Sequence, residues 1–120
     1  MAAFSQDGKV INVNDQVSIV GNVVSVSGTG SLAIVTVETA LTPSTFNAQA
    51  NDMNAVQTEG VAKSISGKAF GFAEDQVSVL GRVSAISGSG NTAALSVVLK
   101  TSGVTVTAPA GVCRSAQFNG

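Results

Sequence analysis

Apolar and polar positions alternate along most of this chain with the period of two that a half-buried β-strand produces. Val17 and Ile19 flank Ser18, and beyond Gly21 the pattern continues at Val23, with Val24 and Val26 on the opposite parity. Sixty positions later it returns without a gap as Val77, Val79, Gly81 and Val83, then Ala85 and Ile86. Individual residues repeat as well. Asp15-Gln16-Val17-Ser18 matches Asp75-Gln76-Val77-Ser78, and Ser27-Gly28-Thr29-Gly30 matches Ser87-Gly88-Ser89-Gly90. The register holds through Thr45/Thr105, Ala48/Ala108, Ala50/Ala110 and Gln57/Gln117. One half of the chain is a divergent copy of the other, the first thing to settle in reading a fold.

Comparing the copies resolves what either leaves open. Val10 to Ser27 is β-rich, and Gly21 and Gly81 fall at the same place in both long strands, which implies a bulge or sharp bend there. Gly28, Gly30, Gly88 and Gly90 mark tight turns, because glycine reaches positive φ without steric cost. Strands are then expected over Leu32 to Val37 and Thr92 to Leu99, with Ala33/Ala93, Val35/Leu95 and Val37/Val97 facing inward. A third strand runs from Thr45 to Ala50 and from Thr105 to Ala110, with Phe46/Val106, Ala48/Ala108 and Ala50/Ala110 inward. Met53/Cys113 and Val56/Ala116 form a short closing piece. No stretch carries a helical period, so the chain reads as all-β.

The expected organisation is an N-terminal arm over 1–9 with Phe4 as its anchor, a first unit over 10–58, a linker over 59–66 and a second unit over 67–120. Asp7-Gly8 reads as a turn within the arm, and Thr58 to Gly67 as the joint between units. Ser66-Gly67-Lys68-Ala69-Phe70 echoes Asp7-Gly8-Lys9-Val10 with a slip of one residue. A long bent strand, a hairpin, a third strand and a closing turn in each unit resemble the small SH3-like barrels, and the Asp-Gln-Val-Ser start followed by Gly-x-Val-x-x-x-Ser-Gly is similar to the opening of such modules. The resemblance implies two tandem SH3-like barrels; a five-stranded OB-type barrel or a two-sheet sandwich fits the same pattern.

Composition shifts the picture towards assembly. The 120 residues are 11% charged and 44% hydrophobic with a formal net charge of −1, so small polar side chains supply much of the solubility. A surface poor in charge suits a protein docked among other subunits better than a free monomer. A unit of half this length buries only about 60% of its unfolded surface and gains from packing on a neighbour. The six Lys and Arg stand singly, without the basic patch that nucleic-acid binding needs. The single Cys113 stands where the first copy has Met53, as a small buried hydrophobe would, and no internal disulfide is available. No apolar run has the length of a membrane helix, and the first residues lack the segments of a secretory signal, so synthesis in the cytoplasm is expected.

Candidate chemistry is sparse. Histidine, tyrosine and tryptophan are missing, which removes the commonest general base and metal ligand and rules out Ser-His-Asp or Cys-His sites within the chain. Asp15 and Asp75 each precede a strand, where aspartate caps backbone N–H groups. Gly28-Thr29-Gly30 lacks the helix that follows a phosphate-binding loop, and Gly67-Lys68 lacks the rest of a P-loop motif. The chain is therefore read as a non-enzyme without cofactor or metal. Of the five Phe, Phe4, Phe70 and Phe72 are the candidate partner contacts, while Phe46 is patterned inward; Phe70 and Phe72 equally suit the packing of the joint between units.

In size, all-β duplication, low charge and N-terminal arm, the whole chain resembles the small structural proteins of tailed-phage virions, particularly the decoration (cement) proteins of capsid exteriors. That resemblance implies a virion protein that binds the major capsid protein or other virion subunits in many copies and stabilises the shell between capsomers. Symmetric self-association is the default for such a protein. Neck and tail subunits share the same style. A soluble tandem-barrel module for a glycan, peptide or nucleic acid is the contrasting expectation.

Overall fold

The computed structural model describes residues 3–5, 8–39, 45–55 and 59–115. Asp7, Val56, Gln57, Thr58, Ala116 and Gln117, named above, and the fifth phenylalanine, Phe118, lie outside the described residues. The described residues form twelve strands: β1 (Ala3–Phe4), β2 (Val10–Ile11), β3 (Gln16–Ser27), β4 (Ile34–Thr39), β5 (Thr45–Gln49), β6 (Met53–Ala55), β7 (Ala62–Lys63), β8 (Ala69–Phe70), β9 (Gln76–Ser87), β10 (Ala94–Leu99), β11 (Thr105–Pro109) and β12 (Cys113–Ser115). The described helical residues are two 3₁₀ turns, Ala50–Asp52 and Ala110–Val112, and none forms a helix long and apolar enough to cross a membrane.

Two tandem barrels would keep the long strands β3 and β9 in separate sheets. Here they are antiparallel neighbours in one eight-stranded sheet of order β11-β10-β9-β3-β4-β5. That sheet curls into a nearly closed barrel, with β5 and β11 in contact at its ends. The register runs from Gln16↔Arg82 through Ile19↔Val79 to Asn22↔Gln76. Ile19 and Val79 are equivalent residues of the two copies, so an approximate two-fold axis passes between them. The closing strands complete the exchange: β6 of the first copy pairs with β9, Met53 opposite Val79, while β12 of the second pairs with β3, Cys113 opposite Ile19. Each copy is finished by the other.

Hairpins at the start of each copy follow the same rule, and they revise the expected arm and linker. β1 pairs with β2 and β7 with β8. Ala3/Ala62, Ser5/Ser64, Gly8/Gly67 and Lys9/Lys68 correspond at an offset one residue shorter than elsewhere, and they make matching bonds. Ser5 N–H donates to the Lys9 carbonyl and Ser64 N–H to that of Lys68, both at 2.8 Å. The hydroxyls of Ser5 and Ser64 accept from the N–H of Lys9 and Lys68. Phe4 N–H donates to the Gly90 carbonyl and Lys63 N–H to the Gly30 carbonyl, both at 3.0 Å. Each hairpin therefore docks on the turn of the opposite copy. A single buried Ala3 gives little apolar signal, which is why this stretch reads as a loose end.

Side chains from both copies fill one core, in which Ile11, Ile19, Met53, Phe70, Val79, Leu95 and Cys113 are all buried. The turn glycines Gly28, Gly30, Gly88 and Gly90 have φ between 72° and 94°. Gly21 and Gly81 lack positive φ and are required by proximity instead. A Cβ on Gly21 would stand 2.7 Å from the Glu38 carbonyl oxygen, and one on Gly81 2.6 Å from that of Val98. The bulges lie three residues further on, where the ladders to β4 and β10 skip Val24 and Ser84. Gly21 thus marks the crossing at which β3 is paired on both edges, with Val77 and Thr39.

Gly21→Ala and Gly81→Ala are expected to lower unfolding stability by about 1–3 kcal/mol each, and valine by more, as measured by thermal or denaturant unfolding. The loss should be larger at Gly81, where Val97 Cγ1 stands 2.4 Å from the added atom, against 2.7 Å for Val37 Cγ1 at Gly21. Burial pushes the Cys113 thiol up from its usual 9.0 to about 12. Its proton is then held more tightly in the folded chain than in the unfolded one. The corresponding stability is complete below pH 9.0 and is lost between 9.0 and about 12. In the folded protein, alkylation of Cys113 should be blocked at pH 8.5 to ~9 and should proceed at once in denaturant.

Candidate functional site

Alternation along β3 and β9 turns Val17, Ile19 and Val23 into the core and leaves Ser18, Val20, Asn22, Ser78, Leu80 and Arg82 on the outer face. This outer face carries the most distinctive chemistry of the described residues. On one side of the two-fold axis, an open groove of about 530 Å³ is lined by Asn14, Gln16, Arg82, Ser84 and Lys100. Arg82 lies opposite Val98 of β10, and Lys100 follows that strand, its N–H donating to the Leu80 carbonyl at 2.9 Å. Both cations are exposed.

At the equivalent place on the other side of the axis the charge is reversed. Asn22 stands where Arg82 does, Glu38 where Val98 does, and Glu74 where Asn14 does. Glu38 lies directly across from Asn22 on β4, and Asn22 Nδ2 donates to the Glu74 carbonyl at 3.1 Å. Glu74 N–H donates to the Val23 carbonyl at 2.7 Å, which holds the loop against β3. Asn14 and Glu74 both have positive φ, 78° and 72°. Asparagine tolerates that conformation readily, whereas in a glutamate it costs about 1 kcal/mol. The longer acid stands where a less strained residue serves the first copy.

A buried carboxylate fixes the loop beside Lys100. Asp52 is fully buried in the 3₁₀ turn after β5. Its Oδ1 accepts from the N–H of Thr101 at 2.9 Å and of Ser102 at 2.8 Å. Its Oδ2 accepts from the Ser102 hydroxyl at 2.6 Å and from Gln49 N–H at 3.1 Å. The Thr101 hydroxyl also donates to the Asn51 carbonyl. A residue of the first copy thereby positions the loop that begins at a cation of the second. Val112 occupies the matching position and offers no acceptor.

The other carboxylates that precede strands organise their own loops. Asp15 Oδ2 accepts from Asn12 N–H, and Asp75 Oδ2 from the N–H groups of Gly71 and Phe72. Among the described residues no three His, Cys, Asp or Glu side chains converge as a metal site.

The candidate aromatics are not brought together. Phe70 is 0% exposed on β8, opposite Ala62, and contributes to the core; buried there, it is withdrawn from any partner. Phe4 is 41% exposed and faces Val10 across β1 and β2, while Phe72 is 60% exposed in the loop before β9. Phe4 goes with the hairpin docked on Gly90, and Phe72 follows the one docked on Gly30. Sequence reading did not single out Arg82, Lys100, Glu38 and Glu74 as a group. Subtracting one copy from the other gives their signal, since each charge replaces a neutral residue at its equivalent position.

Comparison with protein-family models, with curated proteins and with solved structures finds no match to this chain.

Asp52→Asn is expected to lower stability by about 2–3 kcal/mol, because an amide turns a donor towards N–H groups that need an acceptor. Amide hydrogen exchange at Thr101 and Ser102 should accelerate more than at the β3–β9 ladder.

Proposed function

We propose that this protein is a structural subunit of a virion, and specifically a decoration (cement) protein that binds between capsomers of the major capsid protein. The observation that carries this reading is the complete exchange between copies. Pulling one repeat from the other requires breaking the β3–β9 ladder, both closing strands and both hairpin contacts together. Load across such a molecule falls on hydrogen-bonded ladders and not on a linker between domains. The exposed aromatics Phe4 and Phe72 lie on segments tied to opposite turns and supply two separated anchors for neighbouring subunits. The role is mechanical, without a catalytic step, cofactor or nucleic acid, and its place is the virion.

A second reading, a soluble module for a peptide, glycan or nucleic acid, draws its support from the groove beside Arg82 and Lys100. That groove favours an acidic ligand.

Co-sedimentation with particles from the native source, with copies per particle counted by quantitative mass spectrometry, decides between them. The expected count equals the major shell subunit or a simple fraction of it. A handful of copies would assign the protein to the neck or tail, and recovery only in the soluble fraction would overturn the virion reading in favour of the binding module.

A further inference from the structure

The groove beside Arg82 is built by the way β3 starts. Before Gln16 the chain is tied to β9 by Asn14 N–H on the Val83 carbonyl, at 2.8 Å, and by Val83 N–H on the Asp15 carbonyl, at 2.9 Å. This sets Asn14 and Gln16 along one side. Val98 and Lys100, at the end of β10, line the other, and Arg82 and the bulged Ser84 lie between. No Asp or Glu is among the lining residues, and the neighbouring Asp15 has its Oδ2 on Asn12 N–H. Arg82 is exposed, and its guanidinium has no hydrogen bond or ion pair among the described residues. Lys100, and Arg114 opposite Ser18 on β12, already have partners within the chain and enter here as neighbouring cations, not as free donors.

We propose that this groove binds an extended acidic segment of a partner protein, with one carboxylate of that segment held by the Arg82 guanidinium. The planar fork of N–H donors meets a carboxylate in two parallel hydrogen bonds. The exposed amide of Asn14 offers a donor and an acceptor to a peptide backbone, and half-buried Val98 supplies apolar surface. Lys100 lies one strand over and two residues along from Arg82, about 8 Å away between Cα atoms at sheet spacings. Acidic residues at alternate positions of an extended chain stand about 7 Å apart, so a second acid falls beside Lys100. The seven Asp and Glu of this chain include no pair at that spacing, which assigns the segment to a different protein. No aromatic lines the groove for a base to stack on, which disfavours nucleic acid. On the other side of the two-fold axis Asn22, Glu38 and Glu74 replace Arg82, Val98 and Asn14, and that place repels the same ligand.

The proposal rests on the groove of the binding-module reading and holds whether or not the protein is carried in a virion, so its test is separate from the particle count. The isotope-labelled full-length chain is titrated at low salt with a blocked hexapeptide bearing two aspartates at alternate positions, and amide chemical shifts are followed. Saturable shifts are expected, concentrated at Gln16, Arg82, Ser84 and Lys100. The same peptide with asparagines should bind at least about tenfold more weakly. Arg82→Ala should weaken binding of the acidic peptide by at least about tenfold. Arg82→Lys should recover only part of that loss, because an ammonium lacks the fork. Lys68→Ala, on the β7–β8 hairpin, removes the same charge and should leave binding unchanged. Circular dichroism should report an intact fold in all three variants, because the substituted side chains are exposed. Absence of a saturable shift, shifts centred on the hairpins, equal binding of the asparagine peptide or full recovery in Arg82→Lys would each overturn the proposal. So would an oligothymidylate that binds the same residues more tightly than the peptide does.

Discussion

The register between β3 and β9 is the constraint on which the rest of the molecule depends. Setting Ile19 against Val79 brings the two copies into one sheet and leaves the far edge of each long strand half covered. Those edges are then taken by β12 and β6, which reach them only because the copies are antiparallel neighbours. Gly21 and Gly81 sit where pairing passes from the partner copy to the strand's own hairpin, and no side chain fits between the carbonyls there. A slip of one residue would turn Ile19 and Val79 out of the core and replace both glycines with side chains at the crossing.

Much of the local structure was legible in the sequence. Period-two alternation placed Val35, Val37, Leu95 and Val97 inward, and all four are buried. Cys113 at the position of Met53 read as a small buried hydrophobe, and both side chains lie in the core. The exchange between copies was not legible. Alternation says which face of a sheet a side chain takes, and Met53 is equally buried whether β6 joins its own long strand or the other one. Partner choice is set by the three-dimensional approach of β3 and β9, to which a pattern along one strand is blind. The hairpins were obscured by the single-residue offset and by strands too short to alternate. Phe70 illustrates the same limit: an aromatic beside a glycine looks available, and the docking of β7–β8 is what encloses it.

The molecule pairs a nearly symmetric backbone with asymmetric chemistry. Asp52 latches a loop of the second copy, whereas Val112 has no such capacity. Glu38 and Glu74 stand where the other copy has Val98 and Asn14, which line the groove with Arg82 and Lys100. Duplication supplies two equivalent frames, and divergence within them separates charge without altering the pairing. The outer face and its loops accept such change because the core positions beneath stay apolar in both copies.

Exchange also has a consequence for how the chain is made. When the first repeat emerges from the ribosome, β3 can pair with β4, but its other edge waits for β9 and part of its near edge for β12, the last described strand. Neither half can complete itself during translation, so an unfinished sheet edge stays open until β12 has been made. The nascent first half is therefore the form of this protein most exposed to pairing with the wrong neighbour.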